Sequence, residues 1–255
     1  MMAENSKDQR VAVVTGAARG LGLGIARRFA EDGNIVVLAD ADRERGSAAA
    51  ADLRDARAAP TFMALDVRDV DQVNAVAERI VSEHGRIDVW VNNAGVARGG
   101  PAESLSRADW DESIASIVTG AFHCSQAAGR AMLARGSGVI VNVASVNGYR
   151  AIEGSVAASV ANAGLIMLTQ ALGIEWAGRG IRVVGVAPGV AITADTDGIP
   201  PTVPVGVLDR RTPMHRPGGI NEVAEAVLFM SSSEATYIVG ETLVVDGGWT
   251  AYHLF

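Results

Sequence analysis

The sequence predicts a single-domain α/β fold in which a parallel sheet is wound on both faces with helices, and three observations carry that expectation. Short β-branched runs alternate with segments of helical period from residue 11 to residue 250, the pattern that strands and crossover helices leave in a sequence. A glycine-rich turn, T-G-A-A-R-G-L-G at 15–22, follows the first strand directly and opens a helix. The chain has 255 residues, 49% hydrophobic and 20% charged, enough for one large core, and α/β folds of this length commonly form one domain. No internal repeat or low-complexity linker divides it.

The first strand is Val11 to Thr15, and Leu21, Ile25, Ala26 and Phe29 mark one face of the helix after it. Gly16, Gly20 and Gly22 let the backbone between them turn sharply, and free N–H groups at a helix start attract a pyrophosphate. A second strand, I-V-V-L-A at 35–39, ends in Asp40. A carboxylate there accepts hydrogen bonds from ribose hydroxyls and repels a 2′-phosphate, which favours NAD over NADP. The competing reading is that Asp40 caps a helix starting near Arg43, and Arg43 itself could blur the cofactor choice. A-L-D-V-R-D at 64–69 places Asp66 and Val67 in the turn after a third strand. A helix through Val73, Val76 and Ile80 leads to the strand I-D-V-W-V and to Asn92-Asn93-Ala94-Gly95. A helical segment spans residues 109–128, V-I-V-N-V-A-S at 139–145 reads as a strand ending in Ser145, and 163–172 reads as a helix. A buried strand then ends in Pro188-Gly189 and runs into V-A-I-T, ending at Thr193. From 194 to 214 the chain is irregular and holds Pro200, Pro201, Pro204 and Pro213, as expected of a lid with an apolar inner surface. A last helix and a last strand occupy 215–250.

The glycine turn, the N-N-A-G tetrapeptide and the segment around Ser145 together resemble the short-chain dehydrogenase/reductase family, over residues 11–250. The resemblance implies a doubly wound Rossmann fold with a seven-stranded parallel sheet. It also implies a nicotinamide dinucleotide, NAD by the Asp40 reading, held by Gly16, Arg19, Gly20, Leu21, Gly22, Asp40, Asp66, Val67, Asn93, Gly95, Pro188, Gly189 and Thr193. In the family a serine is followed thirteen residues later by a tyrosine and four further on by a lysine, and those places here hold Ser145, Ala158 and Asn162. The family's N-x-x-G, whose asparagine bends a helix and holds a water linked to the lysine, reads Ile117 to Gly120 here. Tyrosine there moves the substrate proton, serine holds the substrate oxygen, and lysine binds the nicotinamide ribose and lowers the tyrosine pKa from about 10. Ala158 has no proton to give and Asn162 no charge, so Ser145 is left as a remnant.

The resemblance therefore implies a catalytically deficient subunit, paired with an active relative in a hetero-oligomer, with a tetramer expected. Its assembly would act on a secondary alcohol or a hydroxyacyl-CoA, as in aromatic degradation, and NAD binding by this chain would be weakened or lost. Two alternatives stand beside it. Tyr149, next to Arg150, or a residue from a partner could replace the missing acid, or the fold could serve a non-redox enzyme or a ligand sensor. The helix face through Leu165, Leu168, Leu172 and Trp176 is the expected subunit contact.

A net charge of −7 and a pI near 5.1 disfavour nucleic acid and anionic membranes as partners. Cys124 is the single cysteine, expected to be a buried thiol, and His84, His123, His215 and His253 lack metal-ligand spacing, so no metal is implied. The polar start, without an apolar h-region, and the absence of eighteen uninterrupted apolar residues give a cytoplasmic expectation.

Overall fold

The computed structural model describes residues 9–56, 59–192, 206 and 211–252. Seven parallel strands form the central sheet: β1 (Val11–Thr15), β2 (Ile35–Asp40), β3 (Thr61–Ala64), β4 (Val89–Asn92), β5 (Gly138–Val143), β6 (Ile181–Pro188) and β7 (Thr242–Val245). Their spatial order is β3-β2-β1-β4-β5-β6-β7. The order reverses between β1 and β4, and in open α/β sheets the ligand crevice lies outside the carboxyl ends of the strands at such a switch point. Both strands are buried along their whole length, which is why they read as continuous apolar runs without alternation.

Helices α1 (Gly20–Glu31), α2 (Arg43–Asp52), α3 (Val70–His84), α4 (Arg107–Ile114), α5 (Gly120–Arg135), α6 (Val156–Ala177) and α7 (Ile220–Ser231) cover the sheet. Two core layers result. Ile25 and Phe29 of α1 and Val223, Val227 and Met230 of α7 pack on one face with Val14, Leu38, Val141 and Val186. Val73 and Ile80 of α3, Cys124 and Met132 of α5, and Leu172 and Trp176 of α6 pack on the other with Val13, Trp90, Ile140 and Val183. Burial pushes the Cys124 thiol up to about 12, so it stays protonated as an inert part of this core. Helix α3 ends at His84 with Gly85 at φ 74° as its C-cap, the left-handed position that favours glycine. A two-residue parallel pair, Ala191–Ile192 with Gly218–Gly219, lies beside the main sheet.

Helix α6 is apolar enough over 22 residues to match a membrane span in composition, but half of its most apolar window is buried within the protein. The expectation for its contact face is overturned. Leu165, Leu172 and Trp176 are buried, and Leu168 packs against the core. The Trp176 ring lies over Gly129 of α5, where a Cβ would come within 2.7 Å of it. The large apolar residues that α6 leaves outside are Val156, Val160, Met167 and Ile174, the last 80% exposed. They recur at four- and seven-residue intervals and so share one side of the helix. Periodicity marked the helix correctly, but both of its stripes are apolar, so the pattern alone did not separate the inner one from the outer.

Candidate nucleotide and active site

The glycine turn is built for close approach. Gly16 and Gly20 adopt φ 65° and 56°, and a side chain on Gly22 would collide with the Gly16 carbonyl and the Asn93 amide. Helix α1 begins with no side-chain cap at Arg19 and no acidic residue in its first turn. Its first N–H groups are thus left to an anion. Leu21 packs against the α1 side of the core.

Asp40 is held by this turn. Its Oδ2 accepts from the Ala18 N–H at 2.9 Å and its Oδ1 from the Asp42 N–H at 2.9 Å. It does not cap α2, because Asp42 does that through the Arg45 N–H. Each Asp40 oxygen keeps a lone pair, the arrangement needed to accept from a vicinal diol.

The two asparagines of N-N-A-G divide their work. Asn92 donates to Asn142 Oδ1 at 2.8 Å and Ser125 Oγ at 2.9 Å and accepts from Trp90 Nε1. Asn142 continues to Thr169 of α6, so a buried polar chain ties β4 and β5 to α5 and α6. Asn93 braces the glycine turn by donating to the carbonyls of Thr15 and Gly16 at 3.0 and 3.2 Å. Thr15 Oγ1 in turn accepts from the N–H groups of Asn93 and Ala94. Thr15 and Asn142 were not singled out from sequence, although a polar residue inside the apolar run V-I-V-N-V was a signal for the second.

Asp66 lies in the turn after β3, and its carboxylate is clasped by Arg68, whose Nη2 donates at 2.6 Å. That bond holds the Asp66 pKa below its usual value, against the effect of burial. Arg68, the other residue missed, takes most of the acceptor capacity reserved for adenine. Val67 is buried and touches Gly120, where a Cβ would be 2.6 Å from Val67 Cγ2.

At the reacting end the geometry is different. Ser145, at the carboxyl end of β5, accepts from the Asn147 N–H at 3.2 Å and caps the short 3-10 turn Val146–Gly148. Ala158 is 3% exposed and Asn162 7%. The Asn162 amide donates back along α6 to the Ala158 carbonyl at 2.8 Å. Between α4 and α5 lies a π-helical turn, Ala115–Thr119. The helix thus departs from regular α geometry here with Ile117 at the place of the family's asparagine. Ile117 belongs to an apolar cluster with Ala121, Ala144, Ala161, Leu165 and Ile166. Its Cγ1 would lie 2.8 Å from a Cβ on Gly95. The place where a relay water would need polar partners is packed with hydrocarbon.

Tyr149 is turned toward β7. Its hydroxyl donates to the Thr242 carbonyl on β7, at a long 3.4 Å, and burial raises its pKa above the ordinary phenol value. Pro188 ends β6, and the Gly189 N–H donates to the Val245 carbonyl at 3.0 Å. Thr193, and the expected lid apart from 206 and 211–214, lie outside the described residues. No cluster of potential metal ligands occurs among the described residues.

Comparison with known proteins agrees with this architecture. The model of a family described as enoyl-(acyl carrier protein) reductase matches residues 16–250. D-threitol dehydrogenase of Mycolicibacterium smegmatis is 40% identical over 248 residues, 95% of this chain and 94% of that protein. Cis-4-hydroxycyclohexanecarboxylate dehydrogenase of Sinomonas cyclohexanicum is 42% identical over 244 residues, 95% of this chain and 97% of that one. The crystal structure of gox2181 superposes with a TM-score of 0.91 at 32% identity, covering 96% of this chain and 97% of its own. The chain belongs to the short-chain dehydrogenase/reductase family, a group of nicotinamide-linked dehydrogenases and reductases.

Proposed function

We propose that this chain is a catalytically deficient subunit of an NAD-dependent dehydrogenase, working beside an active relative that keeps the tyrosine and lysine. The observation that carries the reading is the coordinated change at three places: Ala158 and Asn162 on one face of α6, and Ile117 in the apolar cluster beside them. Nicotinamide, where a subunit of the assembly binds it, supplies the hydride acceptor. Among the described residues no group stands ready to take the matching proton: Ser145 caps a short turn and Tyr149 is engaged at β7. General acid–base help is typically worth about 10²–10⁴-fold. A polar relay that loses one member leaves its partners unpaired in the interior, whereas replacement of all three members leaves a packed and satisfied site.

The substrate class proposed for the assembly is a secondary alcohol or hydroxyacyl-CoA. The names of the relatives support the hydroxyl, since one acts on D-threitol and another on a hydroxycyclohexanecarboxylate. The apolar stripe of Val156, Val160, Met167 and Ile174 on α6 supports association with a partner, as exposed apolar patches of this kind mark contact surfaces.

The test is purification of the tagged chain from its native cells at native expression, with native mass spectrometry and an NAD-linked assay of the complex and of the chain alone. The expected result is a second family member retaining tyrosine and lysine, with activity only in the complex. A homo-oligomer alone, or turnover by the isolated chain, would refute the reading.

A further inference from the structure

The two halves of the nucleotide site have fared differently. On the adenosine diphosphate side the uncapped start of α1, the Gly16–Gly22 turn and its Asn93 brace are all in place. Asp40 is anchored by two backbone N–H groups with lone pairs to spare for a ribose diol. On the nicotinamide side, the lysine place holds an amide committed to the Ala158 carbonyl. The tyrosine place holds a buried methyl group, and the relay place lies in an apolar cluster. Nothing at those three positions offers a cation or a hydroxyl to a second ribose.

We infer that this chain is a binding site for the adenosine diphosphate half of the dinucleotide, taking ADP, ADP-ribose and NAD with similar affinity and rejecting forms phosphorylated on the adenosine ribose. The inference deepens the reading of a subunit that lost its chemistry and kept its fold. Among the described residues recognition weakens beyond the pyrophosphate, because Asn162 cannot supply the charge-assisted hydrogen bonds that an ammonium gives a second ribose. Discrimination on the near side persists. A 2′-phosphate at Asp40 would remove a donor hydroxyl and place like charges together.

Isothermal titration of the full chain with ADP, ADP-ribose, NAD and NADP tests this without any dependence on turnover. The expected dissociation constants for NAD and ADP-ribose agree within about threefold, and NADP binds about tenfold more weakly or worse. In Asn162→Lys, NAD and ADP-ribose should both gain about tenfold while ADP is unchanged, since only the first two carry the second ribose. A tenfold preference of the unaltered chain for NAD over ADP-ribose would overturn the inference, as would no detectable binding of any of the four. The two readings fail separately. NAD-linked turnover by the chain alone would refute the inactive subunit, whereas a strong preference for NAD without turnover would refute only the site assignment made here.

Discussion

If only the proton-transfer residues are missing, restoring them should restore chemistry, and the double variant Ala158→Tyr with Asn162→Lys is the direct test. Positions 158 and 162 lie one turn apart on α6, about 5–6 Å between Cβ atoms, so a lysine there can act on the phenol. The stability loss can be bounded. Position 158 is 3% exposed, and forcing a larger side chain into a packed place typically costs about 1–3 kcal/mol. Removing the Asn162 amide forfeits its bond to the Ala158 carbonyl, worth about 0.5–1.5 kcal/mol. The sum stays below the roughly 5–15 kcal/mol of a folded domain, so the variant should fold. Acid–base help is worth about 10²–10⁴-fold, and Ile117 should confine the gain to the lower part of that range because no polar site for a relay water is rebuilt. The assay is the initial rate of reduced nucleotide formation at saturating NAD with D-threitol, cis-4-hydroxycyclohexanecarboxylate and 3-hydroxyacyl-CoA esters. Unaltered protein turning over at about 1–10³ s⁻¹, the ordinary enzyme range, would refute the reasoning. So would a folded, NAD-binding double variant no faster than its parent on every substrate.

Three further outcomes are expected. Ile117→Asn should lower the free energy of urea unfolding by about 2–5 kcal/mol, the usual loss for truncating a buried aliphatic side chain, because its surroundings in the cluster are apolar; an unchanged midpoint would show that the place is still wet. Asp88→Ala should cost about 1–3 kcal/mol, since Asp88 accepts from the Val11 N–H and is the partner of Arg86 and Arg135; loss of only a few tenths would mean water replaces it. Glu222 is held at about 2, below its ordinary 4.5, chiefly by the Arg216 guanidinium and next by the Gly219 N–H. A lowered folded pKa adds stability above pH 4.5 that is lost as pH falls toward 2, so the fall in thermal midpoint across that window should be shallower in Glu222→Gln than in the parent, and parallel curves would discount the contact.

Much of the fold was legible because parallel strands buried on both faces leave unbroken apolar runs, and the glycine turn follows the first of them. The seven strands and their flanking helices fall where period and resemblance place them. What sequence could not separate were pairs of residues with like chemistry and different neighbours. Asp40 and Asp42 are both plausible caps for α2, and only the Arg45 N–H decides for Asp42. Asn92 and Asn93 sit side by side, yet one joins a buried chain to α5 and α6 and the other reaches back to β1. Tyr149 lies four residues from Ser145, close enough to suggest a substitute acid, but its direction toward β7 is set by tertiary packing that spacing does not encode. The inner and outer stripes of α6 were likewise ambiguous because both are apolar.

Those neighbours also explain how residues 117, 158 and 162 could change without the fold. Thr15, Gly22, Asp40 and Asn93 are joined to one another or to the backbone of the first two strands. A change at any of them would disturb the switch point between β1 and β4 as well as the nucleotide site. Ala158, Asn162 and Ile117 occupy a separable layer, one face of α6 and one π-helical turn packed against it, and no strand draws hydrogen bonds from their side chains. The nucleotide half is tied to the strands of the switch point, whereas residues 158, 162 and 117 are tied only to the packing between α6 and the π-helical turn, so changes there leave the switch point intact. Reversion should show the same asymmetry: substitutions at 158 and 162 should move rate with modest change in stability, whereas substitution of Gly22 should unfold the site that binds the nucleotide.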